Sequence, residues 1–140
     1  MAAALTIHAT CVAIDGRAVL LIGPSGSGKS DLALRLIDRG AMLVADDRTI
    51  LAPVDGRLEA SVPATIAGQI EVRGVGIVAC PPAAAPVALA IRLDGMPERM
   101  PPEVLPITDY AGIAVPTLAL DGLEASAPIK VELALKALPA

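Results

Sequence analysis

An α/β fold, with a phosphate-binding loop set inside a mixed sheet, is the fold class this chain predicts, on three observations. Residues Gly23, Pro24, Ser25, Gly26, Ser27, Gly28, Lys29 and Ser30 form a complete G-x-x-x-x-G-K-S motif, the P-loop pattern. The apolar run 18–22 enters the motif as a buried strand, and residues 31–39 leave it as a helix stopped by Gly40. Elsewhere strand-like segments outnumber helical ones, which favours a mixed sheet over strict βαβ alternation. Residues 1–140 are expected to form one nucleotide-binding domain.

Each element has its own signal. Residues 5–13 alternate loosely and predict a strand, Asp15-Gly16 predicts a hairpin turn, and 17–22 predicts the strand that enters the loop. After the helix, 41–45 predicts a strand ending on Asp46 and Asp47, and 49–51 with 58–62 predicts a hairpin around Asp55-Gly56. Residues 70–78 read as an irregular loop running into a strand, 81–86 as a Pro/Ala connector, and 87–93 as a central strand. Residues 94–106, rich in proline and charge, predict a surface loop, and 115–120 a last strand. Ser126 is expected to cap a final helix over 129–138, with Ile129, Leu133 and Ala137 on its apolar face.

Composition removes several classes of function. The formal net charge is −4 and no Lys/Arg cluster is present, which argues against a nucleic-acid partner. Tyr110 is the single aromatic residue, so there is no platform for stacking bases, and a nucleotide base must be held by aliphatic contacts. The apolar runs 18–22 and 87–91 are too short to span a bilayer, so no membrane partner is expected. Met1-Ala2-Ala3-Ala4 carries no basic segment and makes a poor signal peptide. Cys11 and Cys80 lack metal-ligand spacing and read as reduced core residues, so the expected location is cytoplasmic.

The motif carries its own chemistry. Glycines let the backbone turn its N–H groups toward anionic oxygens, Lys29 supplies a charge for the β- and γ-phosphates, and the Ser30 hydroxyl suits Mg²⁺. Asp46 and Asp47 follow Lys29 by seventeen and eighteen residues. A strand after the P-loop helix commonly lies beside the P-loop strand, so its carboxyl end would open into the same crevice. There one carboxylate could take a proton from an attacking hydroxyl while the other holds a metal-bound water or orients its neighbour. The pair also fits a polar strand-to-turn boundary. Glu71 and Arg73 fit a surface ion pair more readily than a metal site, and His8, the only histidine, fits a structural residue on an apolar strand more readily than a functional one.

Together these spacings are more specific. His8, the loop Gly23-x-Ser25-Gly26-x-Gly28-Lys29-Ser30, the run Leu43-Val44-Ala45-Asp46-Asp47 and the run Ile70-Glu71-Val72-Arg73-Gly74-Val75-Gly76-Ile77 resemble the catalytic domain of HPr kinase/phosphorylase. The resemblance is close over residues 5–80 and loose beyond. That family phosphorylates a serine on HPr, the phosphocarrier of the bacterial phosphotransferase system, and removes the phosphate by phosphorolysis. The resemblance implies a phosphoenolpyruvate-carboxykinase-like fold, ATP and Mg²⁺ as cofactors, an HPr-type phosphocarrier as partner, and a homo-oligomer, in that family a hexamer. It implies Asp46 as the base toward the seryl hydroxyl, with Asp47 as a companion that supports base and metal. Ser30 and Glu71 would be metal ligands, and His8 would sit near the catalytic carboxylate in phosphate handling. It further implies a late arginine on the transferring phosphoryl group, for which Arg99 is the first match and Arg92 the second.

Two departures qualify what the resemblance implies. Longer members carry an N-terminal regulatory domain with no counterpart in this sequence, which resembles the short form of some Gram-negative bacteria. The family's Pro-Gly-Arg-Asn turn is also missing, and residues 121–126 in its place hold no arginine, which makes kinase activity the firmer expectation and phosphorolysis the weaker. Two rival readings remain open from the residues. One is a P-loop small-metabolite kinase, which needs an Arg-rich lid that eleven scattered Lys and Arg residues hardly supply. The other is a non-catalytic ATP-sensing regulatory module.

Overall fold

Continuous apolar runs are buried on both faces, and two of them make the centre of the molecule. The computed structural model describes residues 3–139. Strands β2 (Ala9–Ile14) and β3 (Arg17–Ile22) are buried along most of their length and pair antiparallel through the Asp15-Gly16 turn. The strand expected over 5–13 divides at His8, so that β1 (Leu5–Ile7) pairs elsewhere in the sheet. Helix α1 (Lys29–Asp38) begins two residues earlier than the pattern of side chains suggests, because Gly28 serves as its N-cap.

Strand β4 (Met42–Ala45) corrects one expectation. It pairs antiparallel with β2 and is therefore separated from β3 by a whole strand. Strands β5 (Thr49–Val54) and β6 (Arg57–Ser61) form the expected hairpin around Asp55-Gly56, whose paired positive φ angles suit a two-residue turn. A 3₁₀ turn follows at Ala64–Ile66. Residues 70–78, expected as an irregular loop running into a strand, are a second hairpin made by β7 (Gln69–Val72) and β8 (Gly76–Ala79). Its alternation is blurred because only Ile70 is buried outright.

Strand β9 (Ala85–Arg92) is the fork of the sheet. It pairs parallel with β3, antiparallel with β6 at its start, and parallel with β11 (Ile113–Ala119) at its end. The resulting order is β1-β5-β6-β9-β3-β2-β4, with β11 branching from β9 and β10 (Ile107–Tyr110) pairing beyond it. The β10–β11 hairpin escaped the sequence reading because its turn is Ala111-Gly112, and alanine at φ +55° is no turn signal.

Side chains that alternate along β3 supply two cores. Val19 and Leu21 face α1 and the last helix, α2 (Ala127–Lys136), with Leu32, Leu36, Leu43, Ile91 and Val131. Ala18 and Leu20 face the other way, toward Leu51, Leu58, Ala60 and Val115, where the curled strands themselves form the cover. The sheet is therefore mixed and doubly covered, by helices on one face and by its own edge on the other.

Helix α2 differs from its expected form in two ways. Ser126 precedes it without a side-chain capping bond, and Ala127, Pro128, Val131 and Leu135 form the buried face. Ile129 and Leu133 point outward, at 44% and 59% exposure. A helix with several apolar residues around its circumference does not declare which stripe faces the sheet. Leu135→Ala is expected to cost about 2–5 kcal/mol in urea denaturation, whereas Leu133→Ala should stay within about 0.5 kcal/mol.

Candidate active site

The turn from β3 into α1 makes an anion cradle before any ligand is considered. Gly28 sits at φ +94° and lends the helix no side-chain cap, so the first backbone N–H groups of α1 remain free to meet an oxyanion. At Gly23 a Cβ would lie 2.5 Å from Ser27 Oγ, so only glycine lets the loop close on itself. Lys29 is buried at 6% exposure, and its Nζ donates to the carbonyls of Gly23 (2.7 Å) and Pro24 (3.3 Å). An ammonium has three N–H donors, which leaves one for an incoming oxygen.

Asp46 meets this cradle by way of β2. Because β2 runs antiparallel to both β3 and β4, its first residues lie beside the carboxyl ends of those two strands, between the P-loop and Asp46. Thr10 occupies that place with no exposed surface; its hydroxyl donates to Asp46 Oδ1 (3.2 Å) and accepts from the Asp47 N–H (3.1 Å). Ser30 Oγ donates to the same Asp46 Oδ1 at 2.6 Å, and the Glu71 N–H donates to Oδ2 at 2.9 Å. Hydroxyl, P-loop helix and β7 thus converge on one carboxylate. Asp47, at φ +69°, turns away from it, and its Oδ1 accepts from His8 Nε2 at 2.6 Å, where both side chains are more than half exposed.

Lys29, Ser30, Asp46, Asp47 and Glu71 line an open crevice of about 560 Å³, with Ser25, Gly26 and Arg73 in the same wall. The volume suits a nucleotide or similar ligand. The oxygen set fits Mg²⁺. Ser30, Asp46, Asp47 and Glu71 are hard donors on one crevice, while among the described residues no three His, Cys, Asp or Glu side chains form a closed metal cage. Mg²⁺ favours such a site, with one or two carboxylates, retained water and substrate phosphates.

The structure thus brings together His8, residues 23–30, Asp46, Asp47 and Glu71, and leaves the two late arginines apart from them. Arg99 lies exposed on the loop after β9 and does not line the crevice. Arg92, at the end of β9, pairs with Asp94 at 3.4 Å beside a smaller hollow of about 200 Å³. Two residues had no expected role in the site. Arg73, expected only as an ion-pair partner of Glu71, lines the crevice from the turn of the β7–β8 hairpin. Thr10 left no sequence signal, since a threonine in a strand is ordinary.

Of the two thiols, Cys11 is fully buried and burial pushes its pKa far above the usual thiol range, so it is an inert packing residue.

Comparison with known proteins agrees with this geometry. The family model described as HPr Serine kinase C-terminal domain matches residues 1–82. An HPr kinase/phosphorylase of Clostridium tetani is 44% identical over 75 residues, covering 54% of this chain and 25% of that protein. One from a Thermoanaerobacter species is 46% identical over 78 residues, covering 55% and 26%. The chain thus spans about a quarter of the length of these relatives. Among solved structures, the Hpr(Ser) kinase/phosphatase from Coxiella burnetii superposes with a TM-score of 0.78 at 31% identity, over 94% of each chain.

The Thr10 hydroxyl can be tested by stability. Thr10→Val removes the acceptor of the Asp47 N–H and the donor to Asp46, and is expected to cost about 1–3 kcal/mol. Thr10→Ser should recover most of that loss in urea denaturation. Equal losses in both variants would make the methyl group, not the hydroxyl, the important part.

Proposed function

The chain belongs to the HPr serine kinase C-terminal domain family, and from that premise we propose that it is an ATP- and Mg²⁺-dependent protein serine kinase. Its acceptor is an HPr-type phosphocarrier of the bacterial phosphotransferase system, and residues 1–140 act as one catalytic domain. The observation that carries the reading is the Asp46 carboxylate, hydrogen-bonded to Ser30 at the P-loop helix and to the Glu71 N–H in the same crevice.

Each residue then has a task. The loop amides and Lys29 hold the β- and γ-phosphates. Ser30 and Glu71 would hold the metal, with Asp47 beside it, and Mg²⁺ bound there would supply neutralisation of phosphate charge. Asp46 takes the proton of the acceptor serine as its oxygen forms the new bond to phosphorus and the bond to the departing diphosphate breaks. His8 steadies Asp47 through their short contact. Charge on the transferring phosphoryl oxygens needs a cation, and the place of Arg73 in the crevice supports it for that role ahead of Arg99 or Arg92. Phosphorolysis is the weaker half of the proposal, because residues 121–126 offer no arginine in place of the family's turn.

The setting we propose is the cytoplasm, where thiols such as Cys11 and Cys80 stay reduced. No described helix is long and apolar enough to cross a membrane. A homo-oligomer, by resemblance a hexamer, is part of the same reading. Exposed Met96, Met100, Val104 and Ile107, together with Ile129 and Leu133 on α2, support a surface covered by protein. Light scattering is expected to return the mass of several chains, and a monomer would remove this part.

The decisive assay is mass spectrometry of a purified HPr-type carrier incubated with Mg²⁺, ATP and the protein. A phosphate on a carrier serine is expected, with transfer slowed by about 10²–10⁴-fold in Asp46→Asn. Undiminished transfer by that variant would exclude Asp46 as the base. Tight ATP binding without transfer would exclude this acceptor.

A further inference from the structure

The two flanks of the P-loop strand differ in kind. Asp46 and Asp47 leave β4, two strands from β3 on one side; residues 121–124 leave β11, two strands from β3 on the other. The β4 flank is acidic. The β11 flank contributes one side chain to the crevice, Leu123, beside Gly28 at the start of α1.

Leu123 is fixed where it stands. Asp121 Oδ1 accepts the Leu123 N–H at 3.0 Å, which closes a tight turn. Arg35 reaches across from α1 and donates to the carbonyls of Glu124 (2.8 Å) and Gly122, while its Nε is held by Asp31 at 3.0 Å. The segment lies directly on the loop. A Cβ at Gly122 would stand 3.0 Å from Leu93 Cδ2 and 3.3 Å from Ser27 O, and one at Gly28 would stand 2.9 Å from Leu123 Cδ2. A leucine held so firmly is nonetheless 69% exposed. Its apolar surface faces the crevice without cover, and the only aromatic side chain of the protein, Tyr110, is not there to help.

We propose that the 121–124 strap, positioned by Arg35, is the wall against which the nucleoside of the phosphoryl donor packs, with Leu123 as its contact. The inference rests on the nucleotide reading above. The terminal phosphate must lie toward the acids that serve transfer, so the nucleoside leaves the loop on the opposite flank. There the lining offers aliphatic surface.

Calorimetric titration of the full chain with Mg²⁺·ATP and with magnesium tripolyphosphate separates the two readings. Tripolyphosphate fills the P-loop but has no nucleoside. Leu123→Ser is expected to weaken ATP about fivefold, from the apolar area left uncovered, and to leave tripolyphosphate unchanged. Arg35→Met, which frees the strap, should give the same selective loss. ATP affinity unchanged in Leu123→Ser, or equal losses for both ligands, would overturn the wall while leaving the nucleotide site standing. A wild-type chain that binds neither ligand would overturn the nucleotide reading and the wall together.

Discussion

The crevice depends on how one carboxylate is held. Asp46 accepts from Thr10, Ser30 and the Glu71 N–H, three donors that arrive from β2, α1 and β7. Hydrogen bonds to a charged acceptor contribute about 1.5–3 kcal/mol each, enough to hold the ends of three elements in register at the crevice. Asp47 meets a related constraint. Its left-handed backbone is tolerated because Thr10 accepts its N–H, and the turn sends its carboxylate away from Asp46 toward His8. Two adjacent acids are thereby separated into different directions within one crevice.

The strand order makes this possible. A parallel neighbour beside β3 would have placed the acids next to the loop directly. Here β2 intervenes, antiparallel to both, and its buried Thr10 bonds Asp46 alongside the direct contact from Ser30. The same insertion lets α1 pack against both β2 and β3 while the far face of the sheet is covered by its own curled strands. On the helical face, leucine, valine, isoleucine and alanine fill the layer between the sheet and two ten-residue helices.

Arg35 shows how the second flank is kept in register with the first. It is a surface residue of the P-loop helix by pattern, yet its guanidinium accounts for two carbonyls of the segment after β11. A planar fork with five donors can bond two carbonyls of the loop and Asp31 of its own helix at once. Both walls of the crevice are therefore referenced to α1, one through Ser30 and the other through Arg35.

What the sequence determined by itself was local. Gly23 to Ser30 read as a phosphate loop between strand and helix, since glycine spacing, Lys29 and Ser30 act within a few residues of one another. The Asp15-Gly16 and Asp55-Gly56 hairpins were legible for the same reason. Asp46, Asp47 and Glu71 were legible as candidates through their runs, though not in their contacts. Tertiary structure decided the rest: that β4 lies beyond β2, that Thr10 joins the acids, that Arg73 enters the crevice and Arg99 does not, and which stripe of α2 is buried. Each of these turns on pairing between residues far apart in the chain. Side-chain periodicity specifies that a strand or helix has a buried face, but the neighbour that covers it is selected only when the whole sheet closes.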